Sequence, residues 1–326
     1  MIKAGKTGLP FFISLMILIF FQGCSNNNIS KNDDSMQEDS SRIVIGASLA
    51  SEDSSYLSVV SEYMKQAAEE SGVELILKDA KWNAQIQADQ LEGFIAKQVD
   101  AVILCPVNSK SMLVPLKKVQ QAGIPVINLN MRVDAVSSLY TDTYVGASNS
   151  EEGALAADLI VQMLGEEGGE VAIIEGAPGS DAQIYRTQTF VEQLAATPQI
   201  TIAGIGNGEW KREKAELTAL DLIRKNQDLK AIYCHDSNMA MGVIRVIEEK
   251  GLKEEIQVIG ISEMPEYIDA VRDERMYGFI SQPAEYEGVT SVEKAVEAAE
   301  GQLLRPWYKD PIQIITKENV DSFSSS

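Results

Sequence analysis

Short aliphatic runs recur through this chain without a clean alternation of polar and apolar residues, and nothing constrains its fold more. "RIVIGASL" (42 to 49), "VELILK" (73 to 78), "DAVILC" (100 to 105) and "IPVINL" (124 to 129) have strand length and are apolar on both faces. That is the pattern of strands covered on both sides of a parallel sheet. Amphipathic helical stretches lie between them: 56 to 72, ending at Gly72, 84 to 98, and about 110 to 122, stopped by Gly123 and Pro125. The rhythm then repeats. Helix 151 to 165 leads to strand 170 to 176, helix about 181 to 196, strand 200 to 206 and helix about 211 to 226, then strand 230 to 236, helix about 238 to 250, and strands 256 to 262 and 276 to 282. Strand–helix–strand units with right-handed crossovers throughout predict an α/β protein of two doubly wound lobes.

Sheets of this kind receive ligands beyond the carboxyl ends of their strands. The residues standing there are Tyr56, Asn130, Arg186, Trp210, Asp236 and Gln282. Aromatic rings beside amide, carboxylate and guanidinium groups make the chemistry of a polyol site. A sugar or cyclitol offers CH faces that stack on rings and hydroxyls that need directed donors and acceptors, with charged partners forming the stronger bonds.

Signatures of catalysis are scarce, and no enzyme is expected. His235 is the sole histidine, and Asp236 and Ser237 follow it directly, so the three side chains cannot readily converge as a relay. "GKT" (5 to 7) lacks the first glycine of a phosphate loop, and "GIGNG" (204 to 208) lacks dinucleotide spacing. No cofactor or metal is expected. Cys105 and Cys234 lie inside apolar strand-like runs without C-x-x-C spacing and read as small buried residues, a single disulfide between them remaining open.

The first 41 residues are of another kind. Lys3 and Lys6 precede an apolar run from Leu9 to Phe21 that is too short to span a bilayer core, and Gly23 closes it. Residues 1–23 therefore read as a signal peptide, and 24–41, polar apart from isolated residues, as a disordered tether. The whole chain carries a net formal charge of −20, which becomes −22 when Lys3 and Lys6 leave with the leader. Such a surface repels phosphate, and no nucleic-acid partner is expected.

Several stretches carry a specific resemblance. "FFQGC" resembles the bacterial lipoprotein processing box, with Phe21 where leucine is usual, and implies acylation of Cys24. "DSSYLSVVSEYM", "GIPVINLN", "YVGASNSEEGALAADLI", "GAPGSDAQIYRTQTF", "CHDSNMAMGVIRVI", "VIGIS", "GFISQP" and "PIQIITKENV" together resemble the sugar-binding lipoproteins and periplasmic proteins of ABC importers, particularly the ribose-binding type with the type I two-lobed fold. The ligand domain of LacI-type repressors is also similar, but those proteins carry a DNA-binding head where this chain has an apolar leader.

The resemblance implies an N-terminal lobe of 42–147 plus 282–307 and a C-terminal lobe of 148–281 plus 308–320, with 321–326 as a tail. The chain would cross between them near Ala147 to Asn149, Ser281 to Gln282 and Trp307 to Lys309. The family's stacking aromatics fall on Tyr56, Leu57 and Trp210, its arginine on Arg186, its Asn or Asp on Asp236 and its hinge glutamine on Gln282. Two positions depart. The family's Asp-Arg pair is Asn130 and Met131 here, with Arg132 able to compensate if the loop shifts by one residue, and the Asp after "VIG" is replaced by Ser262. Losing hydroxyl-binding carboxylates should move the ligand preference away from ribose. The implied protein is a monomeric solute receptor held at the extracytoplasmic face through lipidated Cys24, closing on a sugar or polyol and delivering it to ABC permease subunits. The alternative is a ligand-loaded co-receptor for signalling or chemotaxis, including one for a sugar-like autoinducer.

Overall fold

The computed structural model describes residues 42–323; the leader, Cys24, the tether and the last three tail residues lie outside them. In the first half β1 (Val44–Leu49), α1 (Ser55–Glu70), β2 (Glu74–Asp79), α2 (Ala84–Lys97), β3 (Ala101–Leu104), α3 (Leu113–Gln121), β4 (Val126–Leu129) and β5 (Thr143–Gly146) follow one another. The second half runs α4 (Asn149–Leu164), β6 (Gly169–Glu175), α5 (Asp181–Leu194), β7 (Ile200–Asn207), α6 (Arg212–Lys225), β8 (Leu229–Cys234), α7 (Ser237–Lys250), β9 (Gln257–Ile261), α8 (Pro265–Arg272) and β10 (Gly278–Ile280). The chain then adds α9 (Ala284–Ala299), β11 (Trp307–Lys309) and β12 (Ile314–Thr316).

Side-chain caps start the helices where the sequence supplies them. Ser54 accepts from the Leu57 amide, Asn83 from those of Gln85 and Ile86, and Asp236 from that of Met239. Each satisfies a donor that the first helical turn leaves free, a contribution of about 1 kcal/mol. After α1 the chain turns off at Gly72 with φ +68°, a conformation that costs glycine little.

Two six-stranded sheets result. The first has the order β11-β5-β4-β3-β1-β2 and is parallel throughout; the second has the order β12-β10-β9-β8-β6-β7, with β12 antiparallel to β10 and the other pairs parallel. That antiparallel edge departs from the all-parallel expectation. Each sheet buries both faces. In the first, Ile45, Ala47, Ile103 and Ile127 pack under α1 and α9, while Val102, Leu104 and Val126 meet Leu91 and Phe94 of α2 and Leu116 of α3. In the second, Ile232 and Val258 pack with α6, α7 and α8, and Ile173, Tyr233 and Ile259 with α4 and α5. Burying one such aliphatic side chain contributes about 1.5–3 kcal/mol, so two-sided coverage fixes each sheet.

The sheets exchange chain at three places. β5 ends in the first sheet and α4 begins the second lobe; β10 ends in the second and α9 packs on the first; β11 belongs to the first sheet and β12 to the second. The expected boundary between 307 and 308 would divide β11. The strand stays whole because Trp307, Tyr308 and Lys309 pair with Tyr144, Val145 and Gly146 of β5, so the third crossing follows at 310–313. Cys105 and Cys234 are both buried and free, one in each lobe.

Candidate functional site

A cavity of about 480 Å³ of non-atom space, its open mouth included, lies where the strand ends of the two lobes face each other. Tyr56, Asn130, Arg186, Trp210, Asp236, Gln282 and Ser262 all line it, as does Leu57. Arg132 does not. Its guanidinium lies 4.1 Å from the ring centre of Tyr144 and 4.2 Å from that of Trp307, an aromatic clamp that turns the side chain away from the cavity. The one-residue loop shift that would have made Arg132 compensate does not occur: Met131 takes the place beside Asn130 at the cavity wall.

Arg186 on α5 is the most heavily engaged of these groups. It is 4% exposed, pairs with the fully buried Glu152 at 2.9–3.0 Å through Nε and one terminal nitrogen, and donates to the His235 carbonyl oxygen at 2.6 Å and to Gln282 Oε1 at 3.5 Å. A guanidinium has five N–H donors, so at least one remains for a molecule in the cavity. Burial raises the pKa of Glu152, and the Arg186 charge opposes that rise. Asp236 stands at the start of α7, where Oδ1 accepts from the Met239 amide at 2.7 Å. Burial pushes its pKa up to about 6 against that hydrogen bond.

Trp210 enters through a tight turn after β7, with φ +61°. Its ring lies against Gly176, where an added Cβ would stand 1.9 Å from ring carbons. The glycine is what lets the indole lie against the backbone. Asn130 also has positive φ, +58°, a conformation asparagine tolerates better than most residues. Its Nδ2 donates to both oxygens of Glu287 at 2.9 and 3.0 Å, and the Tyr144 hydroxyl holds its carbonyl oxygen.

His235, Asp236 and Ser237 diverge. The His235 ring accepts from the Gly176 amide at Nδ1 and contacts Thr187 Oγ1 at Nε2, 3.2 Å away, while Ser237 donates to the Ile261 carbonyl at 3.0 Å. Burial, and then the Arg186 charge, hold the imidazole pKa well down, so it is a neutral core residue.

Sequence reasoning missed other lining residues. Trp82 sits just after β2, in a left-handed turn of φ +54°, and brings an indole to the cavity on the first lobe. Inspecting the end of that strand as closely as the others would have found it. Asn149, at the first crossing, also lines the wall and donates to Asp181 at 2.7 Å. Asp181 is pushed up to about 6 by burial, against a hydrogen bond from the Arg132 backbone in the other lobe. With the Ser109 amide donating to the Gly179 carbonyl at 3.3 Å, these contacts join the lobes beside the cavity.

A family model described as "Periplasmic binding protein domain" matches residues 45–303. The chain belongs to the periplasmic binding protein family. Its two parallel-rich sheets are the type I fold of these proteins, a family of solute receptors for transport rather than enzymes. Among relatives, the D-allose-binding periplasmic protein of Escherichia coli K12 is 28% identical over 243 residues, 73% of this chain and 78% of that one. The ribose import binding protein RbsB of Bacillus subtilis 168 is 23% identical over 274 residues, 84% and 87% of the two chains. A solved structure of an ABC transporter solute binding protein from Bacillus halodurans C-125 with bound myo-inositol superposes with a TM-score of 0.83 at 28% identity, covering 87% of this chain and 98% of that one.

Proposed function

We propose that this periplasmic binding protein captures a sugar or cyclitol between its lobes outside the cell and hands it to the membrane subunits of an ABC importer. One observation carries the reading. Three polar atoms beside or in the cavity wall, Trp210 Nε1, Ser262 Oγ and Glu152 Oε1, are buried without a hydrogen-bond partner in a wall that also presents the rings of Tyr56, Trp82 and Trp210. Orphaned buried polar atoms cost about 1–3 kcal/mol each, and a ring of hydroxyls among aromatic faces would offset that cost. Relatives named for D-allose and ribose, and a neighbour holding myo-inositol, support the same ligand class.

In this reading Asn130, Arg186, Asp236, Gln282 and Ser262 bond hydroxyls, and the three rings cover CH faces. Ligand touching both lobes stabilises the closed arrangement through contacts an open one lacks, and the permease reads loaded from empty receptor by shape. The receptor acts as a monomer, anchored by acyl chains on Cys24; more than one chain is needed for firm attachment.

A thermal-shift screen of the purified protein against myo-inositol, D-allose, D-ribose and amino acids tests the ligand class. Ligand at 1,000 times its dissociation constant adds about 4 kcal/mol of stability. A shift with a polyol supports the reading; a shift with an amino acid alone overturns it. For the anchor, Cys24→Ser should release the protein into the medium, and unchanged membrane retention would remove that part of the proposal.

A further inference from the structure

Behind the cavity, where the lobes exchange chain, lie two buried carboxyl groups that act on each other electrostatically, and neither oxygen of one of them, Asp310, has an N–H or O–H partner. Glu287 is in the first turn of α9, just past the second crossing, and is fully buried; Asp310 follows β11 at the third crossing and is 2% exposed. The Asp310 amide donates to the Gly146 carbonyl at the end of β5, where the first crossing starts. The pair thus touches all three connections. Glu287 is also the shared acceptor of two cavity amides: Asn130 Nδ2 at 2.9 and 3.0 Å, and Gln282 Nε2 at 3.2 Å. With their N–H groups held from behind, the carbonyl oxygens of Asn130 and Gln282 are left free of Glu287, and Gln282 Oε1 faces Arg186.

We propose that Glu287 and Asp310 share a proton and act as positioning residues, presenting Asn130 and Gln282 to the ligand as hydrogen-bond acceptors and coupling solute capture to protonation of the hinge. The inference rests on the polyol-receptor reading of the same cavity. In the shared state the Asp310 carboxyl donates its O–H to Glu287, which spends its remaining lone pairs on the two amides. When the last proton leaves, two buried carboxylates face each other, the crossings are forced apart and the amides lose their fixed orientation.

The surroundings favour retaining that proton. Burial raises Glu287 to about 7, against the interactions with Asp310 and Asn130 that pull it down, and burial with the Glu287 charge raises Asp310 well above an ordinary carboxyl. The other titratable groups facing the pair are Tyr56 of α1, Cys105 after β3, Tyr144 of β5, Glu152 of α4, Glu263 after β9 and Tyr286 on α9 itself. Of these, Glu152 is already paired with Arg186, and the acidic members raise the cost of a second negative charge.

The test is titration calorimetry of the purified protein with myo-inositol, D-allose and D-ribose across pH, on wild type, Glu287→Gln and Asp310→Asn. Asparagine at 310 imitates the protonated acid, because its amide N–H can donate to Glu287 permanently. For whichever polyol binds, wild-type affinity should fall at least about tenfold once the pair ionises fully, while Asp310→Asn keeps the affinity and loses the alkaline fall; Glu287→Gln should weaken binding about tenfold or more at every pH. Asp310→Asn retaining the wild-type pH profile, or Glu287→Gln binding normally, overturns the proposal. Carbon-13 NMR of the side-chain carboxyls in ligand-free protein decides it separately from the ligand reading. One carboxyl of the pair still protonated at neutral pH supports the shared proton even if none of the three polyols binds. Both ionising below about pH 5, as ordinary acids do, overturns it whatever binds.

Discussion

The two lobes face the same cavity with different chemistry. The first presents Tyr56, Leu57, Trp82, Asn130 and Met131, and none of these carries a formal charge at neutral pH. The second presents Trp210, Ser262 and both charged members of the wall, Arg186 and Asp236. The division separates shape from direction. Rings and a neutral amide select a ligand by its faces, while a guanidinium and a carboxylate reward hydroxyls only along fixed lines and so strengthen the closed state most. The charge behind the first lobe's wall, at Glu287, is transmitted to the cavity by the amides it holds.

Substitutions can break this contrast. Arg186→Ala should have the largest effect, because it leaves the fully buried Glu152 without its partner: stability should fall by about 3–5 kcal/mol, and polyol binding should vanish in calorimetry. Next comes pH. Asp181 and Asp236, raised to about 6 in the fold, hold protons more tightly than the same residues in the unfolded chain, near 3.9. The folded state binds more protons between those values, so the contribution of these two groups to ligand-free stability should fall as pH rises from about 4 to about 6, by on the order of 3 kcal/mol per group at most, while any further fall above pH 6 belongs to Glu287 and Asp310. Thermal melts of wild type, Asp181→Asn and Asp236→Asn check it; each variant should flatten part of the slope.

Trp210→Ala should weaken polyol binding by about 1–2 kcal/mol and Asp236→Ala by a similar amount. Wild-type affinity in both would remove the second lobe's claim to the directional contacts. The smallest effect belongs to the first lobe: Trp82→Phe keeps a ring against the ligand and should cost less than about 1 kcal/mol. A larger loss there than at Trp210 would reverse the comparison.

The long buried strands and amphipathic helices were legible because both patterns are local. β5, β11 and β12 were not read as strands: three or four residues are too few for a period, and Thr143, Lys309 and Thr316 dilute the apolar signal. Helices α8 and α9 also escaped, although Pro265 at the start of α8 is an ordinary beginning for a helix. At the site, looking just past each strand worked for residues that the backbone itself delivers, such as Trp210 and Asp236. It failed for Arg132, whose direction is decided by Tyr144 and Trp307, the latter far along the chain. It was silent on Glu152 and Glu287, which act from helices behind the wall; the contact of Glu287 with Asn130 spans 157 positions and leaves no local trace.

The late exchange of strands also bears on how the protein is made. The first sheet takes its edge strand from residues 307–309 and the second from 314–316. A ribosome that has not yet passed residue 307 has therefore completed neither sheet, and a chain released before that point carries two unfinished edges at once. Domain-by-domain maturation during synthesis, open to proteins whose domains are contiguous, is denied to this one. Its two halves reach their final form together, once residues 307–316 have left the ribosome.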